Sequence, residues 1–364
     1  MSQRIHVHQN GTTIYDICLE HSFDRIAEEL RSLQLENRRI CIVTDSHVAP
    51  LHLDALEKEL KTVSSELISF VMPAGEAHKN LDTVRDLYET LIQAHFERRD
   101  LLVALGGGVV GDLTGFAAAT YLRGIDFIQV PTTLLAQVDS SIGGKTGVDF
   151  SCYKNMVGAF KMPRLVYMNL STLQTLDRRI YLSGMGEIVK HALIRDAAYL
   201  EWIETHTQDI LDRNPEALEE MIAVSCRIKR DVVEEDPTEK GVRAILNMGH
   251  TLGHAIEKQA GFSLYHGECV SIGCVASAVI SRERGLITEA EFNRIRDAFA
   301  KLDLPVSVSD LNAEAVLSDV RNDKKMEAGI VKFILLQSIG NAEIDRTVTF
   351  QEMEQALREV GVCA

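Results

Sequence analysis

A chain of 364 residues with 46% hydrophobic and 25% charged positions has the composition of an ordinary globular protein, and its length predicts two domains. The net charge of −15 argues against a nucleic-acid or anionic-membrane partner, because no basic surface is spread along the chain. No apolar run approaches the ~20 residues that span a bilayer, and the N-terminal residues lack a signal-peptide core. Seven cysteines without a C-x-x-C pair are typical of free thiols in a reducing cytoplasm, where we expect the protein to act.

The first half of the chain alternates strand and helix patterns. Strands at 4–9 and 12–17 meet at Asn10-Gly11, a dipeptide suited to a tight hairpin, and Ser22 is placed to cap a helix to about residue 35. Further strand patterns cover 39–45, 66–72, 101–105, 126–130 and 164–168, with helices predicted at 51–62 and 80–96. This alternation predicts a parallel sheet wrapped by helices, a Rossmann-like α/β nucleotide-binding domain over residues 1–176.

A glycine-rich turn follows the predicted strand at 101–105. Gly106-Gly-Gly-Val-Val-Gly-Asp112 fits G-x-G-x-x-G between a strand and a helix, where bare amides and the helix dipole can hold a pyrophosphate. Two features differ from the usual signature: the turn is not on the first strand, and no acid closes the next one. Asp45 closes an earlier strand instead. The context favours a dinucleotide over an ordinary tight turn.

A second glycine-rich segment, Asp139-Ser-Ser-Ile-Gly-Gly-Lys145-Thr-Gly147, resembles the end of a P-loop. Its leading glycine is absent, since Asp139 holds that position, and we therefore reject a kinase or an ATPase. A lysine among glycines can still hold one phosphate, and Lys154-Asn155 adds a cation and an amide. The alternative interpretation is a solvated loop.

From about residue 176 the pattern becomes helical. Glu187, Lys190 and His191 share one face at i, i+3 and i+4 among apolar neighbours. Charges in so apolar a helix need partners or a metal, and a salt-bridged core is the alternative. The helix predicted at 215–234 places Lys229 on its apolar stripe, from which a lysine can also extend to solvent.

Asn247-Met-Gly-His250-Thr-Leu-Gly-His254 is followed shortly by His266. On a helix, Asn247, His250 and His254 share a face, and a helix with two imidazoles on one side can begin a divalent-metal site. The spacing is not that of a zinc protease, because no carboxylate lies between the two histidines. Hydrogen-bonded core histidines are the alternative, but three histidines within seventeen positions favour a metal. The chain is then predicted to close with strands at 330–336 and 342–347 and a helix at 351–360.

Taken together, these motifs resemble those of the 3-dehydroquinate synthase family, and the likeness runs nearly from end to end. The motifs that carry it are Gly106-Gly-Gly-Val-Val-Gly-Asp112, Pro131-Thr-Thr133, Asp139-Ser-Ser-Ile-Gly-Gly-Lys-Thr-Gly147, Gly186-Glu-Ile-Val-Lys-His191, Asn247-Met-Gly-His-Thr-Leu-Gly-His254 and His266-Gly-Glu268. Several long motifs in one order are far more specific than any one of them.

The resemblance implies an NAD-binding α/β domain at residues 1–176, a mostly α-helical metal- and substrate-binding domain at 177–364, bound Zn²⁺ or Co²⁺, and a homodimer. It makes Glu187, His250 and His266 the metal ligands and places His254 beside them or toward the substrate. The residues that it places around NAD⁺ are Asp45, Glu76, Lys79, Gly107, Gly108, Val109, Asp112, Thr132, Thr133, Lys145 and Lys154.

The same resemblance implies a substrate with a phosphate and a carboxylate, the keto acid 3-deoxy-D-arabino-heptulosonate 7-phosphate (DAHP). The residues expected around its phosphate are Lys145, Asn155, Asn247 and Lys325. Lys229 and Arg243 are expected to hold the carboxylate, and Asp139 and Lys190 to face the reacting hydroxyls. Arg123 is expected to reach into the site of the neighbouring subunit.

The implied reaction converts DAHP to 3-dehydroquinate and phosphate in aromatic amino acid biosynthesis. It proceeds by transient oxidation with NAD⁺, phosphate elimination, re-reduction, ring opening and an intramolecular aldol step. The alternatives are a related sugar-phosphate cyclase of the 2-deoxy-scyllo-inosose or valiolone type, a metal-dependent polyol dehydrogenase, and a non-catalytic NAD-binding module. Lys229 with Arg243 favours DAHP over the neutral sugar phosphates, which need no carboxylate clamp.

Overall fold

The computed structural model describes residues 3–151, 153–322 and 331–363. The chain divides into two compact units, Met1–Leu176 and Asp177–Ala364. Within the described ranges, no helix combines the length and apolar character that a bilayer crossing requires.

The strands of the first unit build one large sheet and one separate hairpin. In chain order they are β1 (Gln3–Gln9), β2 (Thr12–Glu20), β3 (Arg39–Asp45), β4 (Glu66–Met72), β5 (Leu101–Gly106), β6 (Asp126–Pro131), β7 (Lys145–Phe150), β8 (Tyr153–Phe160) and β9 (Leu165–Asn169). The large sheet has seven strands in the order β1-β2-β9-β6-β5-β3-β4, and only the β1–β2 pair is antiparallel. The mostly parallel sheet predicted from the alternating pattern is therefore confirmed.

Helices cover both faces of this sheet. They are α1 (Ile26–Ser32), α2 (Asp54–Leu60), α3 (Leu81–Gln93) and α4 (Gly108–Thr120). Along β3, Ile40 and Ile42 join the apolar cluster on one face, and Cys41 and Val43 join the cluster on the other. A strand buried on both sides reads as a continuous apolar run, which is why the sequence pattern located it correctly.

The hairpin and cap predictions had different outcomes. Asn10 and Gly11 have φ of 52° and 76°, as a tight turn between antiparallel strands needs, so the predicted β1–β2 hairpin is present. The predicted cap at Ser22 is wrong. The first helix begins at Ile26 after Arg25, and the Ser22 hydroxyl instead accepts a hydrogen bond from the Asp24 amide at 3.2 Å.

The glycine-rich segment around Lys145 is not the solvated loop that was the alternative interpretation of the sequence. Lys145 begins β7, which pairs with β8 in an antiparallel hairpin. Gly147 pairs with Gly158, and a Cβ on Gly158 would lie 2.5 Å from the Thr146 carbonyl oxygen. Glycine is usually depleted in strands, so a strand whose backbone must approach a neighbour this closely looks like a loop in the sequence.

The second unit is mostly helical. Its helices are α5 (Arg178–Arg195), α6 (Ala197–Thr205), α7 (Thr207–Leu211), α8 (Pro215–Glu235), α9 (His250–Gln259), α10 (His266–Glu283), α11 (Glu289–Lys301), α12 (Ala313–Asn322) and α13 (Phe350–Glu359). A short hairpin, β10 (Phe333–Ser338) with β11 (Asn341–Asp345), precedes the last helix. This agrees with the fold class predicted from the sequence.

Glycines let α5, α9 and α10 pack backbone against backbone. A Cβ on Gly186 of α5 would lie 2.4 Å from the Gly267 carbonyl oxygen of α10. A Cβ on Gly253 of α9 would lie 2.7 Å from the Cys269 carbonyl oxygen. Each of these glycines adjoins a predicted site residue in sequence, so the close crossings bring Glu187, His254 and His266 into one region of the unit.

We predict that Gly267→Ala destabilises the protein by about 3 kcal/mol or more, because the added methyl overpacks the crossing of α5 and α10. Its Cβ would lie 1.6 Å from the Ser183 carbonyl oxygen, so the helices must separate. Urea or thermal unfolding measures the effect. Gly241→Ala is the control, since its Cβ would meet an atom only at 3.8 Å. Equal stability of the two variants would contradict the packing argument.

Candidate functional site

Glu187 presents one free carboxylate oxygen inside the second unit. Its exposed fraction is 0%, and Lys190, one turn later on α5, is 1% exposed. The Lys190 ammonium donates to Oε2 of Glu187. The other oxygen, Oε1, is buried and has no hydrogen-bond partner among the described residues. A buried, unsatisfied carboxylate oxygen is costly unless a cation occupies the space beside it.

Two imidazoles face that oxygen. His250 Nε2 lies 3.6 Å and His266 Nε2 lies 3.5 Å from Glu187 Oε1. The opposite ring nitrogen, Nδ1, lies 3.1 Å from the Met248 carbonyl oxygen in His250 and 3.8 Å from Glu257 Oε2 in His266. An imidazole whose Nδ1–H faces an oxygen keeps the Nε2 lone pair available for a metal.

These separations fit a divalent ion. Two ligand atoms about 2.0–2.2 Å from a tetrahedral zinc ion lie about 3.4 Å from each other. One carboxylate and two imidazoles also form a common ligand set that leaves a position open for substrate. His254 is near enough to offer a second set, because His250, His254 and His266 have ligand nitrogens within 4.8 Å of one another. The unsatisfied Glu187 oxygen favours the set that includes the carboxylate.

The charged groups in this cluster shift one another's pKa values toward the ionised forms. Burial by itself would raise the pKa of the Glu187 carboxyl, but Lys190 and His266 outweigh it and hold that pKa below its ordinary value. Burial would lower the pKa of His266, whereas Glu187 and Glu257 raise it to about 9. A carboxylate that stays ionised in a fully buried position is suited to bind a cation.

Asn247 does not share a helical face with His250 and His254, so that part of the sequence prediction is wrong. It ends a short 3₁₀ turn, Val242–Asn247, and α9 begins only at His250. Gly249 separates the two with φ of +77°, a left-handed conformation that breaks the helix. The Asn247 amide donates to Glu239 Oε1 at 2.7 Å, and Glu239 is a polar residue here that the sequence did not identify.

Lys229 and Arg243 are both buried cations of this unit, with exposed fractions of 6% and 4%. Arg243 donates to the Pro237 carbonyl oxygen at 2.7 Å. The Asp236 carboxylate fixes the connecting loop by accepting the backbone amides of Lys240, Gly241 and Arg243. Burial alone would raise the pKa of Asp236, but these amides lower it. Lys325, also predicted at the substrate phosphate, lies outside the described residues.

In the first unit, the triple-glycine turn joins β5 to the N-terminus of α4, as predicted. A Cβ on Gly107 would lie 3.1 Å from Thr133 Cγ2, and one on Gly108 would lie 3.0 Å from Ser140 Oγ. Val109 follows within the first turn of α4. The Thr132 amide donates to the Gly106 carbonyl oxygen at 3.0 Å. Thr132 Oγ1 is buried without a hydrogen-bond partner among the described residues, which leaves it available to a ligand.

Lys79, Asp112 and Asn155 form a polar cluster in the same unit. The buried Lys79 ammonium donates to Asp112 Oδ2 at 2.6 Å and to Asn155 Oδ1 at 2.7 Å. Glu76 Oε1 lies 4.0 Å from the same ammonium. Burial would lower the pKa of Lys79, but Asp112 and Glu76 raise it above its ordinary value. Lys79 and Asn155 are 76 positions apart in the sequence, so short motifs could not show that these residues form one cluster.

The other predicted site residues of the first unit lie on several different elements. Asp45 Oδ1 accepts the amides of His47 and Val48 at 2.8 and 3.0 Å. Asp139 lies in the helical turn Ala136–Ser140. Lys145 and Lys154 are exposed on β7 and β8, and Arg123 is exposed with φ of 69°.

The chain matches two family models. Residues 69–183 match the 3-dehydroquinate synthase N-terminal model, and residues 184–326 match the 3-dehydroquinate synthase C-terminal model. A 3-dehydroquinate synthase from Nitrosospira multiformis is 46% identical over 326 residues, which is 89% of each chain.

Solved structures show the same fold. A 2-epi-5-epi-valiolone synthase from Streptomyces hygroscopicus, with NAD⁺ and Zn²⁺ bound, aligns with a TM-score of 0.88 at 29% identity over 98% of this chain and 99% of that one. A 2-deoxy-scyllo-inosose synthase complexed with carbaglucose-6-phosphate, NAD⁺ and Co²⁺ aligns with a TM-score of 0.88 at 26% identity over 98% and 100%. The family models and the high identity to the curated relative show that this chain belongs to the 3-dehydroquinate synthase family.

Proposed function

We propose that this protein is a 3-dehydroquinate synthase, which converts DAHP to 3-dehydroquinate and inorganic phosphate. The observation that carries the proposal is Glu187 Oε1, buried without a hydrogen-bond partner among the described residues and flanked by the Nε2 atoms of His250 and His266. In our proposal, those three residues hold Zn²⁺ or Co²⁺, and the unit Asp177–Ala364 binds metal and substrate.

The unit Met1–Leu176 is proposed to bind NAD⁺. The turn at Gly107–Gly108 and the helix that follows offer backbone amides to the pyrophosphate. The residues proposed to surround the rest of the cofactor are Asp45, Glu76, Lys79, Val109, Asp112, Thr132, Thr133, Lys145 and Lys154. Structures of two cyclases of this fold contain NAD⁺ together with Zn²⁺ or Co²⁺, which supports this assignment.

When bound, the ion would supply a Lewis acid that lowers the pKa of a substrate hydroxyl, and NAD⁺ would supply a hydride acceptor. Lys190 donates a hydrogen bond to Glu187 and keeps that carboxylate ionised, and its remaining N–H groups can donate to a substrate hydroxyl. Asp139 is proposed to accept from a substrate hydroxyl, and His254 stands beside the ligand imidazoles as a proton carrier.

Two groups of cationic and amide side chains are proposed to bind the two anionic ends of DAHP. Lys229 and Arg243 are proposed to hold the carboxylate, and their burial strengthens such a charge-assisted pair. Lys145, Asn155, Asn247 and Lys325 are proposed to hold the phosphate.

We further propose a homodimer in which Arg123 reaches the neighbouring subunit's site. Light scattering tests the dimer, and a monomeric mass would contradict it.

The function is tested by incubating the purified protein with DAHP, NAD⁺ and Zn²⁺. We expect equal amounts of phosphate and 3-dehydroquinate, with no lasting NADH absorbance, because the hydride is returned to the substrate. The control omits NAD⁺ after the bound cofactor has been stripped. Absence of phosphate release under the full conditions would refute the proposal, and steady accumulation of NADH would indicate a dehydrogenase.

The second candidate is a cyclase of a neutral sugar phosphate, favoured by the close structural match to 2-deoxy-scyllo-inosose synthase. Such a substrate has no carboxylate for Lys229 and Arg243 to bind. Parallel assays on DAHP and glucose 6-phosphate separate the two candidates. Faster turnover of glucose 6-phosphate would favour this alternative.

We predict that Thr132→Val lowers the affinity for NAD⁺ by about 3- to 10-fold, because that is the loss of affinity expected when one hydrogen bond is removed. The same change should leave the stability of the cofactor-free protein unchanged or slightly higher, because the hydroxyl has no hydrogen-bond partner among the described residues. Calorimetric titration with NAD⁺ and thermal unfolding measure the two effects. Unchanged NAD⁺ affinity would remove Thr132 from the cofactor site.

A further inference from the structure

Helix α9 carries a buried acid that neither the motifs nor the proposed reaction uses. Glu257 is 7% exposed and lies seven positions after His250 and three after His254. These spacings place all three residues on one face of the helix. A carboxylate is costly to bury without a cationic or hydrogen-bonding neighbour, so its position calls for a function.

Glu257 faces the ring nitrogen of His266 that points away from Glu187. His266 Nε2 lies 3.5 Å from Glu187 Oε1, and His266 Nδ1 lies 3.8 Å from Glu257 Oε2. The two nitrogens of one imidazole therefore face carboxylates from two different helices, α5 and α9. This arrangement holds the ring from both sides.

The backbone around His266 is fixed separately. His266 is the first residue of α10, and the Tyr265 amide donates to Glu268 Oε2 at 2.8 Å. Arg179 of α5 holds the same carboxylate with two bonds of 2.6 and 2.7 Å. Glu268 thus positions the start of the helix, and the rotation of the His266 ring is left to its side-chain neighbours.

We propose that Glu257 is a positioning residue for metal binding, which orients the His266 ring through Nδ1 so that Nε2 faces the ion. This inference rests on the proposed metal site of the second unit. His250 obtains the equivalent support from the main chain, because its Nδ1 lies 3.1 Å from the Met248 carbonyl oxygen. The neighbour of His266 Nδ1 is a side chain, which mutation can remove. Carboxylates that hold ligand histidines tune metal affinity in this way.

The test measures zinc affinity directly, by competition between the metal-stripped full-length protein and a chromophoric chelator. We expect Glu257→Ala to weaken zinc binding by about 10- to 100-fold. Glu257→Gln should lose less, because its amide oxygen still offers an acceptor that faces Nδ1. Glu314→Gln, which changes an exposed glutamate of α12, is the matched control and should bind zinc like the parent. Saturating zinc should restore most of the turnover of Glu257→Ala, which it would not do after general damage to the fold.

If Glu257→Ala folds and binds zinc with an affinity within about twofold of the parent, the inference is overturned, because removal of a ligand-orienting carboxylate changes metal affinity by about 10- to 100-fold. If the alanine variant does not fold, Glu257→Met, which has no side-chain oxygen to face Nδ1–H, decides, and parental zinc affinity of that variant would also overturn the inference. His266→Ala separates the two levels of the argument. Tight zinc binding by His266→Ala would refute the metal site itself. If His266→Ala loses zinc but Glu257→Ala binds it like the parent, only the role of Glu257 is refuted.

Discussion

Replacing His250 with alanine should abolish metal retention and, with it, turnover. The variant lacks one of the three proposed ligands, because the imidazole nitrogen that faces the buried Glu187 oxygen is gone. We expect the loss of zinc affinity to exceed the about 10- to 100-fold typical of a supporting residue. Metal analysis after dialysis measures retention, and full zinc occupancy in this variant would contradict the ligand assignment.

Two further variants decide between the two ligand sets that the geometry allows. If Glu187, His250 and His266 bind the metal, Glu187→Gln loses zinc and His254→Ala keeps it. If the three histidines bind it, the outcomes are reversed, since their nitrogens also converge within 4.8 Å. Glutamine has the shape of glutamate but lacks its charge, so Glu187→Gln tests the carboxylate with little change in packing. Unfolding curves of both variants verify that the helices remain packed.

Removing the Lys229 cation should mainly weaken substrate capture. Loss of one partner of a buried charge pair costs about 2–5 kcal/mol, which corresponds to about a 30- to 4,000-fold lower kcat/KM for DAHP. Lys229→Met is the preferred variant, because it keeps the apolar stem of a side chain that is 6% exposed. We expect the free energy of unfolding to stay equal or to rise, since a buried ammonium gives way to an apolar group. Steady-state kinetics and urea unfolding measure the two quantities.

The control for Lys229→Met is Lys240→Ala, which removes an exposed cation from the neighbouring loop. Its kcat/KM for DAHP should match that of the parent. An unchanged KM in Lys229→Met would count against a carboxylate clamp. A fall in kcat with constant KM would instead place Lys229 near the reacting atoms, because an interaction formed only in the transition state behaves in that way.

Local sequence patterns determined much of the fold. Buried parallel strands such as β3 are continuous apolar runs, and α8 has an apolar stripe at helical spacing, so these patterns were enough to locate them. The β7–β8 hairpin was missed because glycines needed for a close backbone approach look like a loop. The helix expected to include Asn247 is interrupted at Gly249, which has a positive φ and packs against α10 with no room for a Cβ.

The chemistry of the candidate site divides in the same way. Motif spacing and residue type are local properties, so the sequence by itself identified Glu187, His250, His254 and His266 as candidates. The choice of Glu187, His250 and His266 among them came from the resemblance to the 3-dehydroquinate synthase family. Only the tertiary structure placed Glu257 beside His266, Glu239 beside Asn247, and Lys79 between Asp112 and Asn155. Contacts between distant segments depend on how closely α5, α9 and α10 approach and on the register of the hairpin. Those distances are set by packing of the whole unit, which no local pattern encodes.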